Sequence, residues 1–512
     1  MFEVTIESLY ECFDVISNAS SSDVDKLKAY QQILQGSKCG PNEKKLASQF
    51  IGRFFKLFQS EQENSFNCLL DLCDDEDPKT RIQAVRDFQQ ICKAEPAFIP
   101  RVSDVLAQLI VTEDATESNG INAALKSLLT MNPSSTLAGV FNQILSSKSK
   151  VQRQNLIKFL LDNLKDIPEE KMSAELDEFI AEHLNELLNE TSSTEFVIIV
   201  ALMSSLKSMS TLLGRQKLVN MITNVIMEKM PVFDPQSAQS VELIQQAGKQ
   251  VVRLLSKNVS AAQLLKYMLE SVVPSVLSVD NPFRQRGILL ILTNLSSHPG
   301  DAFTSVPKDS QIQLLQPLYA SLLASLPEPS TFTNEGDARP KISLPAFTIE
   351  CIFYTLLNLL KFCPTFLCAS VQNESDTASQ EGVARLQALR HKAQYTARLI
   401  QSYKAAIVTD LQAAFQAEGG CSIKTVDEAR RALANIEKMV RCIFRSKIEP
   451  DCLHDVLLSW IEPGPPKPQP TSSPTATTVG AKRPASKQQH QIASLTRNKQ
   501  SRFQFHRGNK GK

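Results

Sequence analysis

The densest group of side chains able to do chemistry is the run Asp74-Asp75-Glu76-Asp77. Four adjacent carboxylates can hold a hard cation or start a helix. A calcium loop alternates its ligands around a central glycine, and this run does neither. Asp77-Pro78 instead has the form of a helix start: an aspartate that caps the first amides, then a proline where no amide partner is lost. The six histidines, His183, His298, His391, His454, His490 and His506, stand apart from cysteines and carboxylates at metal-ligand spacing. The 11 cysteines include no C-x-x-C pair. No G-x-G-x-x-G, P-loop or G-x-S-x-G occurs. The expectation is a protein that is not an enzyme and takes no metal or cofactor.

Cationic chemistry is better supplied. Arg390, Lys392, Arg398, Arg430 and Arg431 form a candidate basic patch for an acidic partner or RNA, although solvated helix faces carry the same residues. Past residue 461 there are ten lysines and arginines against the single acid Glu462. With a whole-chain formal charge of +1, the preceding residues are acidic by about eight charges. Lys482 and Arg483, then Arg497, Lys499 and Arg502 after a polar spacer, have the spacing of a two-cluster nuclear-import signal. Phe503, Phe505 and Arg507 add groups able to stack on single-stranded RNA, which predicts weak, salt-sensitive binding.

The elements that must carry these groups are helices. Residues 69–88, LLDLCDDEDPKTRIQAVRDF, read as the hinge of a two-helix repeat: an apolar helix end, the acidic turn, then Ile82, Val85 and Phe88 at helical spacing beside the small Ala84. Similar units follow Cys39-Gly40-Pro41-Asn42, Ser118-Asn119-Gly120 and Ser149-Lys150. Aligning Ala47, Ala84, Ala124 and Leu156 gives steps of roughly 37, 40 and 32 residues, near the ~40 to 47 of HEAT or armadillo units. The chain therefore reads as an all-α protein, an α-solenoid.

Helical patterns continue over 196–213, 218–230, 241–256, 261–273 and 287–295, and two polar stretches, 326–345 and 371–382, read as exposed loops. Long helices are expected over 383–416 and 426–445, ending near Trp460. The stripe Phe50, Phe54, Phe55 and Phe58 reads as core between repeats, as do the L-x-x-L-L matches at 125–129, 184–188 and 356–360. A heptad runs Leu386, Ala393, Ile400, Ile407, with Leu389 and Thr396 between; Ala and Thr weaken the seam, so the helix should pack inside its own chain and the protein should be a monomer. From 463 onward Pro, Ser and Thr replace aliphatic residues, which predicts a disordered basic C-terminal tail. The longest apolar run, 196–203, is too short for a bilayer that needs ~20 residues, so no membrane segment is expected.

Six blocks together resemble the apoptosis inhibitor 5 family, also called the anti-apoptosis clone 11 family: AYQQILQGSKCGPNEKKLASQFIGRFFKLF at 29–58, LDLCDDEDPKTRIQAV at 70–85, IPRVSDVLAQLI at 99–110, TLAGVFNQIL at 136–145, LLSKNV at 254–259 and LLSW at 457–460. The resemblance implies HEAT-like repeats over 1–190, armadillo-like helices over 191–461 and a tail over 462–512. It also implies an anti-apoptotic scaffold resident in the nucleus with some cytoplasm. The alternative is an RNA-associated nuclear adaptor acting through its tail. Implied partners are the chromatin-condensation factor Acinus, linked to the heptad, and fibroblast growth factor 2. The family's L-x-x-L-L box falls on Leu106, Leu109 and Ile110. The chain departs from the family at Ile110 and Ala393, where the family has leucine, and at 146–149, where the vertebrate protein has an acidic turn.

Overall fold

The computed structural model describes residues 4–191, 193–329, 344–369, 377–417, 423–445, 448 and 453–462. The first ten helices are α1 (Ile6–Ser17), α2 (Asp23–Gly36), α3 (Pro41–Phe54), α4 (Gln62–Cys73), α5 (Pro78–Ala94), α6 (Ile99–Leu109), α7 (Ala115–Met131), α8 (Pro133–Ser146), α9 (Lys150–Asn163) and α10 (Ala174–Glu190). Most of their starts follow one local rule, α3, α4 and α6 being the exceptions. A short polar side chain accepts the first amides: Ser22 for α2, Asp77 for α5, Asp114 for α7, Asn132 for α8, Ser149 for α9 and Ser173 for α10. Proline follows the cap directly in Asp77-Pro78 and Asn132-Pro133.

Two layers result. In one, α1, α3, α5 and α7 pack on one another in order; in the other, α2 packs on α4, α6 on α8 and α8 on α10. Ala47, Ala84, Ala124 and Leu156, the aligned repeat positions, lie on α3, α5, α7 and α9 and are all 0% exposed. Small residues there let neighbouring helices approach, so Ala84→Leu should overpack and cost about 1 to 3 kcal/mol. An unchanged thermal midpoint would reject the phasing. One turn was misread: Ser118-Asn119-Gly120 is inside α7, whose cap is Asp114.

The stack continues through α11 (Ser193–Ser205), α12 (Lys207–Ser210), α13 (Leu212–Lys229), α14 (Ala238–Leu254), α15 (Ala262–Tyr267), α16 (Pro282–Ser296), α17 (Lys308–Ser325), α18 (Ala346–Leu359), α19 (Thr377–Ala417) and α20 (Ile423–Ile443). α9, α11, α14, α16, α18 and α20 succeed one another in one layer, and α10, α13 and α15 in the other. Packing thus runs on past residue 190, and one compact unit extends to Glu462. The chain is an α-solenoid.

Three expectations are corrected, and two helices arise where none was expected. The helix expected over 196–213 is broken into α11, α12 and the start of α13, because buried Asp177 accepts the Lys207 and Ser208 amides at 3.0 Å and caps α12 separately. The 261–273 pattern holds only through α15; the chain then passes through a π turn (Met268–Val272) into a 3₁₀ turn (Val273–Ser278). Residues 377–382, read as loop, form the first turns of α19. Finally, α17 and α18 left no readable period: Pro317 sits inside α17, and α18 is buried on nearly all sides. The tail, 463–512, lies outside the described residues.

Candidate functional site

The L-x-x-L-L-like segment belongs to the core. Leu106 and Ile110 are buried and Leu109 packs half-buried beside them, because α6 presses this face against α8. Such leucines are not available to a partner. The heptad is likewise internal: Leu386, Leu389, Ala393, Thr396 and Ile400 are buried and α19 packs on α20. The Ile407 side chain lies outside the description.

The basic patch is divided by what its members touch. Arg390 donates to the carbonyls of Ile443 at 2.7 Å and Arg445 at 3.2 Å, at the end of α20, where partial negative charge collects. Lys392 donates to Leu323 O at 3.1 Å, in the last turn of α17, and pairs with Glu328 beyond it. Arg431 donates to Ile461 O at 3.2 Å. Only Arg398 and Arg430 are exposed, Arg430 with a loose pair to Asp427 at 3.8 Å. Three of the five therefore hold the fold together. The import residues Lys482, Arg483, Arg497, Lys499 and Arg502 lie outside the described residues.

Charged contacts between repeats recur, and sequence spacing did not mark them. Arg81 on α5 grips Glu117 on α7 with two bonds, 3.0 and 2.9 Å, and also donates to the carbonyls of Asp75 and Glu76. Asp75 and Asp77 of the acidic turn pair with Lys44 and Lys45 on α3. The acidic run is thus capping and inter-repeat bonding, not a cation site. Lys171 and Lys229 each reach carbonyls at the end of a helix one repeat back, at 130–131 and at 188 and 191. Burial, then the nearby Arg153, holds the Lys229 ammonium below its ordinary value.

Asp87 on α5 is 5% exposed and bonds Ser48 on α3 and Gln83 on its own helix. Burial pushes its carboxyl up to about 6, against the pull of Ser48, Gln83 and Arg86. The folded chain therefore holds this proton more tightly than the unfolded chain. The stability it brings is complete below the ordinary carboxylate range near pH 4 and is lost as pH rises through about 6. Asp87→Asn should be about 2 to 3 kcal/mol more stable than the parent at pH 7.5 and nearly equal to it near pH 4. Parallel denaturant titrations at the two pH values check this; a constant difference would reject the assignment.

Grooves open between the described helices. One of about 420 Å³ is lined by Phe66, Val105, Ala138 and Gly139, with Arg101 over the Phe66 ring at 4.1 Å. One of about 370 Å³ lies by Phe196 and Lys229, and one of about 500 Å³ by Phe179 and Lys171. Their charged groups are already bonded: Asp104 in the first takes Gln108, Asn142 and Gln143. Among the described residues no group of His, Cys, Asp and Glu could hold a metal, and no helix is long and apolar enough to cross a membrane. The arrangement offers contact surface between helices.

The sequence profile of the apoptosis inhibitory protein 5 family matches residues 6–510. The chain belongs to that family. Relatives within it include "Apoptosis inhibitor 5" of Gallus gallus and of Homo sapiens, each 32% identical over 469 residues, covering 89% of this chain and 84% of the relative. The "Apoptosis inhibitor 5 homolog" of Drosophila melanogaster is 27% identical over 473 residues, covering 90% and 83%. Among solved structures, Kap121p aligns over 85% of this chain and 53% of its own at 9% identity and TM-score 0.31. A chain from a structure of the interaction between cadherin and beta-catenin aligns over 85% and 92% at 12% identity and TM-score 0.27. The family departures have clear structural settings here. Ala393 is fully buried, and at 146–149 Ser149 caps α9 while Ser147 bonds Gln152 at 2.7 Å.

Proposed function

We propose that this chain is a non-enzymatic anti-apoptotic scaffold, a monomer in dilute solution, that works mainly in the nucleus and binds proteins along its helical surfaces. One observation carries the reading: the family match runs across nearly the whole chain, and relatives in that family are named apoptosis inhibitors. The helical stack supports binding rather than catalysis, since its charged groups are engaged in holding repeats together. An Acinus-like factor linked to the heptad would meet the exposed side of α19, at His391, Gln394, Arg398 and Ser402, because the described heptad positions are buried. A growth-factor partner of the fibroblast growth factor 2 kind belongs to the same proposal. Cells expressing the intact chain should show less caspase-3 activation after growth-factor withdrawal than vector controls; equal activation rejects the reading.

A second reading, an RNA-associated adaptor with weak affinity in its tail, is favoured by the ten cations after residue 461. Pull-down from nuclear extract with and without RNase separates the two, since loss of most partners after RNase selects the adaptor. For import, a reporter fused to residues 463–512 should enter nuclei. The same reporter with Lys482→Ala, Arg483→Ala, Arg497→Ala and Lys499→Ala should stay outside; equal entry would remove the tail from the import role.

A further inference from the structure

The last described segment, residues 453–462, has no helix of its own beyond short turns, yet Leu453, Val456, Leu458 and Ser459 in it are buried. It lies on a face assembled from α18 and α20. Three α20 side chains at helical spacing each donate to one of its carbonyls: Lys438 to Asp455 at 2.7 Å, Asn435 to Leu457 at 2.7 Å and Arg431 to Ile461 at 3.2 Å. As the helix numbering falls the strap numbering rises, so the strap runs antiparallel to α20. From α18, Glu350 accepts the Ser459 amide at 2.9 Å and the Ser459 hydroxyl at 2.6 Å, and takes Asn435 Nδ2 at 2.6 Å.

Leu453, Val456 and Leu458 of the strap join the core, and the polar contacts around them are also those by which a helical face reads an extended peptide. The carbonyl contacts are indifferent to side-chain identity, and the aliphatic side chains with one serine supply the selectivity. The strap is also the end of the compact unit and follows all twenty described helices in the chain. Moreover, Arg431 Nε is buried without an acceptor, so the strap leaves one donor of this face unused. We propose that the α18–α20 face is a binding site for an extended, aliphatic partner segment bearing an apolar-Ser-aromatic end, and that residues 453–462 occupy it as an internal pseudo-ligand which such a segment displaces.

Tethering makes the strap a strong competitor, with an effective concentration of order millimolar. A free segment therefore binds weakly until the strap is loosened. Trp460, the one tryptophan of the chain, sits in the strap and reports its position. The test titrates the full chain with the peptide LHDVLLSFIE, the strap sequence with phenylalanine for tryptophan. Trp460 emission should shift red while helical circular dichroism stays constant. In Leu458→Asp chain, half-displacement should fall by about tenfold, and adding Glu350→Gln to that variant should raise it again.

An emission shift that appears only with loss of helix overturns the proposal, as does equal peptide binding by parent and Leu458→Asp. Hydrogen exchange on the unaltered chain gives a second readout that requires no variant. Exchange of the Ser459 amide well ahead of the α18 amides is expected, and exchange at their common rate would make the strap an inseparable part of the core. The proposal concerns the face and not the pathway, so its failure leaves the anti-apoptotic reading standing.

Discussion

Arg81→Ala is expected to destabilise the chain by about 3 to 5 kcal/mol, the usual cost of stranding one member of a buried ion pair. Glu117 is only 5% exposed at its side chain and keeps Thr112 as its other side-chain donor, so removing the guanidinium leaves a charge out of water with one hydroxyl for company. The same arginine also donates to two carbonyls of the acidic turn, and those lose their donor as well. Arg81→Lys should recover part of the loss, since it restores charge without the two-bond fork. Adding Glu117→Gln to Arg81→Ala should recover more, because no buried charge remains. Urea titrations of the four proteins decide it. A loss below about 1 kcal/mol for Arg81→Ala would mean that Glu117 finds water, and that the α5–α7 junction is more open than described.

Gly214→Ala should be as damaging, through contact rather than charge. A β-carbon at this position would lie 2.0 Å from Ser208 O and 2.6 Å from Met209 Cα. Both are backbone atoms, so no rotamer change relieves the clash and α12 must move off α13. A loss of about 3 kcal/mol or more is expected. Gly120→Ala is the matched control: it too is helical, but nothing lies within 4 Å of the added carbon. There the substitution should stabilise by about 0.4 to 1 kcal/mol by restricting the unfolded chain. Thermal midpoints moving in opposite directions fit this account; two equal losses would contradict it.

What was legible in the chain was what local rules write. Asp77-Pro78 and Asn132-Pro133 fix helix starts whatever surrounds them, and a helix half-exposed to water must alternate apolar and polar faces, as α5 does. Where burial comes from all sides the alternation has no cause, and α18 shows the result: Phe347, Ile349, Ile352 and Phe353 point in different directions and all are buried. Gly120 misled because glycine marks turns more often than open helix faces. Asp177 was invisible because it caps α12, some thirty residues on, across the fold.

The candidate surfaces were less legible still. A cation reads the same in sequence whether it faces solvent or holds a helix end, so Arg390 and Arg398 were grouped, yet only Arg398 is exposed. The strap network was hidden for a related reason. Glu350, Asn435 and Ser459 are far apart in the chain and of unremarkable type, and only the packing of α18 on α20 brings them together.

The cysteines carry a consequence of their own. Cys73, Cys92 and Cys351 are free thiols that sit deep in α4, α5 and α18. Burial pushes the Cys73 and Cys92 thiols up to about 12, so the folded chain presents almost no thiolate there to an electrophile. Alkylation at each must wait for its own stretch of the stack to part. The protein therefore carries clocks spaced along its length, two near one end and one near the other. Their relative rates under gentle stress tell from which end the helices let go first.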